Sequence, residues 1–106
     1  MDKTTKIEAY NKFNGHCAYC GKTITIKDMQ VDHIKPKRMG GTDDIKNLNP
    51  ACRRCNHYKR AHSLELFREM LKTLHQRVRD IYICKVAKDY GIIEIREWDG
   101  KFYFER

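Results

Sequence analysis

The sequence predicts an α+β fold in a single domain. Residues 23–34 alternate apolar and polar side chains, as strands with one covered face do. Apolar residues recur every three or four positions from 64 to 81, which is typical of helix. A chain of 106 residues suffices for one ordinary core. We expect a core of about residues 5–62 and an extension of about residues 63–106.

The first third of the chain predicts one helix and two strands. Apolar residues at three-residue steps favour a helix over about residues 5–13, which ends at Asn14-Gly15. Alternation predicts strands at 23–26 and 29–34, and Lys27-Asp28 is a suitable turn between them. These two strands would form the hairpin of the core.

The middle of the chain predicts a loop followed by a helix. Pro36 disfavours helix at the residue before it, and Gly40-Gly41-Thr42-Asp43 is typical of a loop. Asn49-Pro50 is a good helix entry, since asparagine caps free amides and proline needs no hydrogen bond there. At 100° per residue, one stripe of this helix would carry Cys52, Cys55, Asn56 and Lys59.

The last third of the chain predicts helix and then a hairpin. Ser63 could cap a helix that no glycine or proline interrupts before Gly91. At 1.5 Å per residue it would reach about 40 Å, so it must bend, break or project toward a second copy. Residues 92–97 and 101–105 flank Asp99-Gly100, a favourable tight turn, and predict a β-hairpin.

The chain is strongly basic, which favours a polyanionic partner. It carries 22 Lys and Arg against 14 Asp and Glu, a formal charge of +8. Eight of the basic residues and two of the acidic ones lie between His33 and His62. Nucleic acid is therefore the expected partner. No segment is long and apolar enough for a membrane span, and the polar N-terminus lacks a secretory signal pattern. We expect a cytoplasmic, intracellular protein.

Four of the five cysteines form two pairs with the same spacing, Cys17-x-x-Cys20 and Cys52-x-x-Cys55. Two such pairs can close a tetrahedral shell around one Zn²⁺, and a closed shell indicates a structural site. A redox dithiol or unrelated thiols are the alternatives. Cys84 lies alone in an apolar helical pattern and is expected to be a core residue.

The order of several short motifs resembles that of a known enzyme family. Val31-Asp32-His33-Ile34-Lys35-Pro36, then Gly40-Gly41, Asn47-Leu48 and Cys52-x-x-Cys55-Asn56-x-x-Lys59 resemble the HNH endonucleases that carry a four-cysteine zinc site. The resemblance covers about residues 5–60. It implies a ββα-metal fold, in which a hairpin and a helix hold a divalent cation. The resemblance is also compatible with a gene of phage origin.

The resemblance also implies a role for each matching residue. His33 would be the general base, and Asn47 would orient the histidine ring and support the loop before the helix. Asp32 and Asn56 would hold the catalytic cation, Mg²⁺ or Mn²⁺, for which oxygen ligands are suitable. A histidine can take a proton from water near neutral pH. Phosphate contacts are expected from nearby basic side chains: Lys37, Arg38, Arg53, Lys59 and Arg60.

Three functions are compatible with this sequence. The first is a metal-dependent DNA endonuclease or nickase that uses His33. The second is a zinc-stabilised nucleic-acid-binding module without catalysis. The third is an accessory subunit of a larger complex for phage packaging or restriction. Separately, the long helical segment could form the contact of a homodimer.

Overall fold

The computed structural model describes all 106 residues and contains a two-stranded sheet and five α-helices. The α+β fold class is thereby confirmed. Contacts divide the chain into two compact units, Met1–Leu64 with Phe102–Arg106, and Glu65–Lys101. The elements in chain order are α1 (Lys3–Asn11), β1 (Gln30–His33), β2 (Leu48–Ala51), α2 (Arg53–Lys59), α3 (Leu64–Lys72), α4 (Leu74–Arg79) and α5 (Tyr82–Asp89), with 3₁₀ turns at Lys37–Met39, Ile45–Asn47 and Tyr103–Glu105.

The sheet pairs β1 with β2 in antiparallel fashion, and Asp32 lies opposite Asn49. The predicted strand at 29–34 is confirmed as β1, but the predicted strand at 23–26 is wrong. Thr23 makes only an isolated bridge to His16. The backbone then turns, because the amides of Asp28 and Met29 both bond to the Thr25 carbonyl. The partner of β1 is therefore β2, which follows the loop of residues 34–47.

The predicted helix entry at Asn49-Pro50 is also wrong, since both residues lie in β2. Pairing with β1 overrides the local capping preference, and proline is tolerated because both strands of a two-stranded sheet are edges. The helix begins three residues later. Cys52 is its N-cap, and its sulfur accepts a hydrogen bond from the Cys55 amide at 3.3 Å.

The core of the first unit is closed by the C-terminal residues. Phe102 is buried and packs edge-on against the Tyr19 ring, with centroids 5.3 Å apart. The amides of Tyr103 and Phe104 bond to the carbonyls of Tyr19 and Ala18. The predicted C-terminal hairpin is therefore wrong: these amides bond to the segment between the first two cysteines, and residues 92–105 form no strand.

The second unit contains most of the long helical segment, which is broken, one of the three outcomes left open by its length. The first break is at Thr73, whose hydroxyl donates to the Met70 carbonyl at 3.1 Å. The second is at Ile81, whose backbone is extended. Within this unit the Arg68 guanidinium bonds to the Gly100 carbonyl. None of the helices has the length and apolar character needed to cross a membrane.

We predict that Phe102→Ala lowers the free energy of unfolding by about 3–5 kcal/mol, because it removes a buried ring and leaves a cavity. Chemical denaturation in the presence of Zn²⁺ measures the change. Tyr90→Ala is the matched control, since the Tyr90 side chain is 80% exposed. It should alter stability by less than about 0.5 kcal/mol. Equal losses for the two variants would contradict the packing role of Phe102.

Candidate active site

The two cysteine pairs meet in one cluster. Cys17 and Cys20 lie in the turn after α1, while Cys52 and Cys55 lie at the start of α2. All four sulfur atoms lie within 4.8 Å of one another, and those of Cys20 and Cys52 are 3.9 Å apart. A tetrahedral zinc ion with bonds near 2.3 Å would hold sulfurs about 3.8 Å apart. The cluster therefore fits a zinc site, as the spacing predicts.

Contacts within the cluster favour the thiolate of Cys17 and disfavour that of Cys55. A hydrogen bond from Cys55 lowers the pKa of Cys17 to about 4, and the same contact raises the pKa of Cys55. The Cys52 amide also donates to the Cys17 sulfur at 3.3 Å. Zinc binds the thiolate form, so the binding of zinc by all four cysteines would release protons from them. Cys84 lies in α5 and is not among the four.

Asp32 points from β1 into the interior and is 5% exposed. The Tyr19 hydroxyl donates a hydrogen bond to its Oδ2. The Lys59 ammonium lies 3.3 Å from Oδ1 and 3.2 Å from Oδ2. Burial raises the pKa of Asp32, while the Tyr19 hydroxyl and the Lys59 ammonium act in the opposite direction. The carboxylate is thus held by two donors at the bottom of the candidate site.

Lys59 is fully buried, so the prediction that it contacts DNA phosphates is wrong. Its ammonium also donates to the His33 carbonyl at 3.0 Å. The side chain therefore joins α2 to the end of β1 and neutralises Asp32 inside the core. Helical spacing correctly places Lys59 beside the cysteine stripe, but it cannot reveal that this stripe packs on the sheet.

His33 is the last residue of β1, directly after Asp32. Neighbouring strand residues point to opposite faces, and accordingly the His33 side chain is 23% exposed whereas Asp32 is buried. Its Nε2 lies 2.7 Å from Asp43 Oδ1. Asp43 Oδ2 lies 3.3 Å from the Lys37 ammonium. Contacts with His33 and then Lys37 lower the pKa of Asp43, which therefore stays ionised.

Asn47 holds the loop between the strands. Its Oδ1 accepts from the Lys35 amide at 2.8 Å, and its Nδ2 donates to the carbonyls of Lys35 and Thr42. These bonds close residues 35–47 into a fixed loop that returns past His33. The side chain bonds to the loop backbone and not to the histidine ring.

Asn56 lies in α2 one turn before Lys59, on the helix face that packs against β1. Its side chain is half-buried and makes no hydrogen bond within the chain. The amide oxygen therefore has no hydrogen-bond partner within the chain.

The remaining basic side chains lie at the surface. Lys37 and Arg53 are exposed, Arg60 is exposed and ends α2, and the Arg38 guanidinium donates to the Ala61 carbonyl at 2.8 Å. A groove of about 790 Å³ is lined by Arg53 and Cys52. Its other lining residues with charged or imidazole side chains are Lys22, Asp28, Arg54 and His57.

Two side chains at the site escape the sequence motifs. Tyr19 lies between the first two cysteines, and the structure shows that it packs against Phe102 and donates to Asp32. Asp43 lies in the predicted loop, and only the loop fold shows that it reaches His33. The Gly-Gly that precedes it is the one signal in the sequence that a tight return of the chain occurs here.

We predict that Lys59→Met lowers the free energy of unfolding by about 3–5 kcal/mol, because it leaves the buried Asp32 carboxylate unpaired. Chemical denaturation of the zinc-loaded protein measures the effect. Lys27→Met removes an exposed ammonium and is the matched control. A loss for Lys59→Met no larger than that of the control would show that the buried pair does not stabilise the fold.

We predict that Cys55→Ser abolishes the stoichiometric binding of one zinc ion and lowers the midpoint of thermal unfolding, because it opens the tetrahedral shell. Elemental analysis and thermal melts with and without chelator give the two readouts. Cys84→Ser is the control and should keep both zinc and the melting temperature. Retention of zinc by Cys55→Ser would contradict the four-thiolate site.

Comparison with known proteins gives the same family as the motifs. The family model described as HNH endonuclease matches residues 17–72, slightly more than half of the chain. The chain is 38% identical over 55 residues to the CRISPR-associated endonuclease Cas9 of Corynebacterium diphtheriae, which covers 51% of this chain and 5% of that protein. It is 43% identical over 44 residues to the CRISPR-associated endonuclease Cas9 of Actinomyces naeslundii, which covers 41% of this chain and 4% of that protein.

The fold comparison agrees. The crystal structure of the type II-C Cas9 enzyme from Actinomyces naeslundii matches with a TM-score of 0.57 and 25% identity, over 83% of this chain and 10% of that chain. The chain spans only about a twentieth of the length of the two Cas9 sequences that it matches. The match to the family model includes the cysteine cluster, Asp32 and His33, and the chain belongs to the HNH endonuclease family.

Proposed function

We propose that this chain is a metal-dependent HNH endonuclease or nickase that hydrolyses DNA phosphodiester bonds. One observation carries the proposal: a buried carboxylate, Asp32, is followed at the end of β1 by a part-exposed histidine whose Nδ1 makes no hydrogen bond within the chain. Membership of an endonuclease family supports it. The +8 charge supports a polyanionic substrate.

In this proposal His33 is the general base. It takes a proton from a water molecule, and the oxygen that results attacks the phosphorus in line. The bond from phosphorus to the 3′ oxygen breaks with its electron pair on that oxygen, which is then protonated. The products carry a 3′-hydroxyl and a 5′-phosphate. Neither lysine nor arginine could act as the base at neutral pH.

Asp32 and Asn56 would hold the cation. They offer a carboxylate and an amide oxygen, ligands that suit Mg²⁺ or Mn²⁺ and leave most of the coordination shell for water and phosphate. Asp32 Oδ1 accepts only from Lys59, so lone pairs remain available on it. When bound, such an ion neutralises charge on the scissile phosphate and on the leaving oxygen. Asn47 acts further away, by fixing the loop beside His33.

Exposed cations would hold the phosphate backbone. Lys37, Arg38, Arg53 and Arg60 are at the surface of the first unit, and contacts of this type position a protein on DNA without reading its sequence. The groove that Lys22, Arg53 and Arg54 line adds positive charge near the zinc site. We therefore propose DNA as the partner, bound with little sequence preference by this unit.

A second candidate is a nuclease module or accessory subunit within a larger assembly. The short share of the Cas9 relatives that the chain covers favours it. The second unit also exposes large apolar side chains on and beside α5, among them Tyr82, Ile83 and Tyr90. Such residues suit a protein partner, either a larger nuclease complex or a second copy of the chain.

We predict that His33→Ala lowers the rate of plasmid nicking at least about 100-fold, because general-base catalysis is typically worth 10² to 10⁴ in rate. Conversion of supercoiled to open-circular plasmid is measured with Mg²⁺, with Mn²⁺ and with chelator. Zinc content, melting temperature and DNA affinity should match those of the parent chain. A zinc-stabilised binding module without catalysis would show no metal-dependent nicking in the parent chain.

His62→Ala is the matched control for this experiment, because its side chain forms no hydrogen bond at the candidate site and the change also removes one imidazole. It should nick at the parental rate. Equal nicking by the parent chain and His33→Ala would rule out His33 as the base.

A further inference from the structure

The loop between β1 and β2 is held in one conformation by its own backbone. The Gly41 amide bonds to the Pro36 carbonyl at 3.0 Å. A Cβ on Gly41 would lie 1.8 Å from the Lys35 carbonyl oxygen, so only glycine allows this close approach. The Asn47 side chain joins Lys35 and Thr42 from inside the loop. These contacts define the conformation of the loop that carries Asp43.

Asp43 is the side chain that this loop brings to His33. One carboxylate oxygen lies 2.7 Å from the histidine Nε2, and the other lies 3.3 Å from the Lys37 ammonium. The adjacent Asp44 instead accepts from the Lys46 amide at 2.8 Å, which shapes the following 3₁₀ turn. Of the two consecutive aspartates, Asp44 therefore caps the 3₁₀ turn and only Asp43 contacts the histidine.

The contact between Asp43 and His33 determines which ring nitrogen of the histidine carries the proton. An ionised carboxylate can only accept hydrogen bonds, so Nε2 of His33 must carry a proton. In the neutral imidazole the other nitrogen, Nδ1, is then the acceptor. Because Nδ1 makes no hydrogen bond within the chain, it can accept a proton from water.

We propose that Asp43 is a positioning residue for His33, which holds the ring with its proton on Nε2 and turns Nδ1 toward the attacking water. This inference rests on the proposed function. When Nδ1 accepts the proton from water, the ring becomes a cation while Nε2–H stays on the Asp43 carboxylate. The carboxylate thus stabilises the charge that forms, and it remains ionised throughout. Lys37 keeps Asp43 in place from the other side.

The test uses Asp43→Asn in the full zinc-loaded chain. The asparagine amide can donate to Nε2, which shifts the ring proton to Nδ1 and removes the base. We expect kcat for plasmid nicking to fall about 10-fold to 100-fold, with KM and DNA affinity unchanged. Asp43→Glu retains a carboxylate and should recover part of the rate. Asp89→Asn, an exposed aspartate in α5, is the control and should nick at the parental rate.

Nitrogen-15 NMR of the imidazole supplies a readout independent of cleavage. The parent chain should show His33 with a protonated Nε2 and an unprotonated Nδ1, and Asp43→Asn should change this pattern. Unchanged or higher kcat in Asp43→Asn, or a parent chain with the proton on Nδ1, would overturn the role of Asp43. If His33→Ala nicks normally, the proposed function fails whatever the tautomer, so the two failures are distinguishable.

Discussion

Four sulfur atoms from two segments meet at one point, and the position of the candidate site follows from that meeting. Cys17 and Cys52 are 35 residues apart in the chain, yet the Cys52 amide donates to the Cys17 sulfur. The same cysteine caps α2, so the cluster fixes where this helix begins and which face it turns to β1. On that face Lys59 meets Asp32. The four-cysteine cluster is thus connected to the candidate site through a single short helix.

Asp32 and His33 are consecutive residues of β1 with different surroundings. Asp32 points inward, where Tyr19 and Lys59 hold its carboxylate, and His33 points outward toward the loop. Strand alternation alone produces this division. A buried ammonium beside a carboxylate is costly to desolvate, and here its cost is offset by three contacts, to both oxygens of Asp32 and to the His33 carbonyl. The pair also ties the end of β1 to α2, where the strand stops.

The C-terminal residues show that elements distant in sequence complete the core. Phe102 and the amides after it pack on the segment between Cys17 and Cys20, rather than on a neighbouring strand. Tyr19 consequently has one face against an aromatic ring and its hydroxyl on Asp32. The second unit, Glu65–Lys101, contributes helices with exposed apolar residues, whereas the first unit carries every residue of the candidate site.

The amino-acid sequence was enough to predict the fold class, the cysteine cluster, the family and strand β1. These depend on local spacing and on motifs whose chemistry allows few alternatives. Tertiary structure decided the partner of β1, the use of Asn49-Pro50 as strand, the absence of a C-terminal hairpin, the burial of Lys59 and the contact of Asp43 with His33. Each of these depends on which distant segment satisfies a backbone amide or a charge. Local propensity does not encode that choice, because it is made only when the chain has closed around the core.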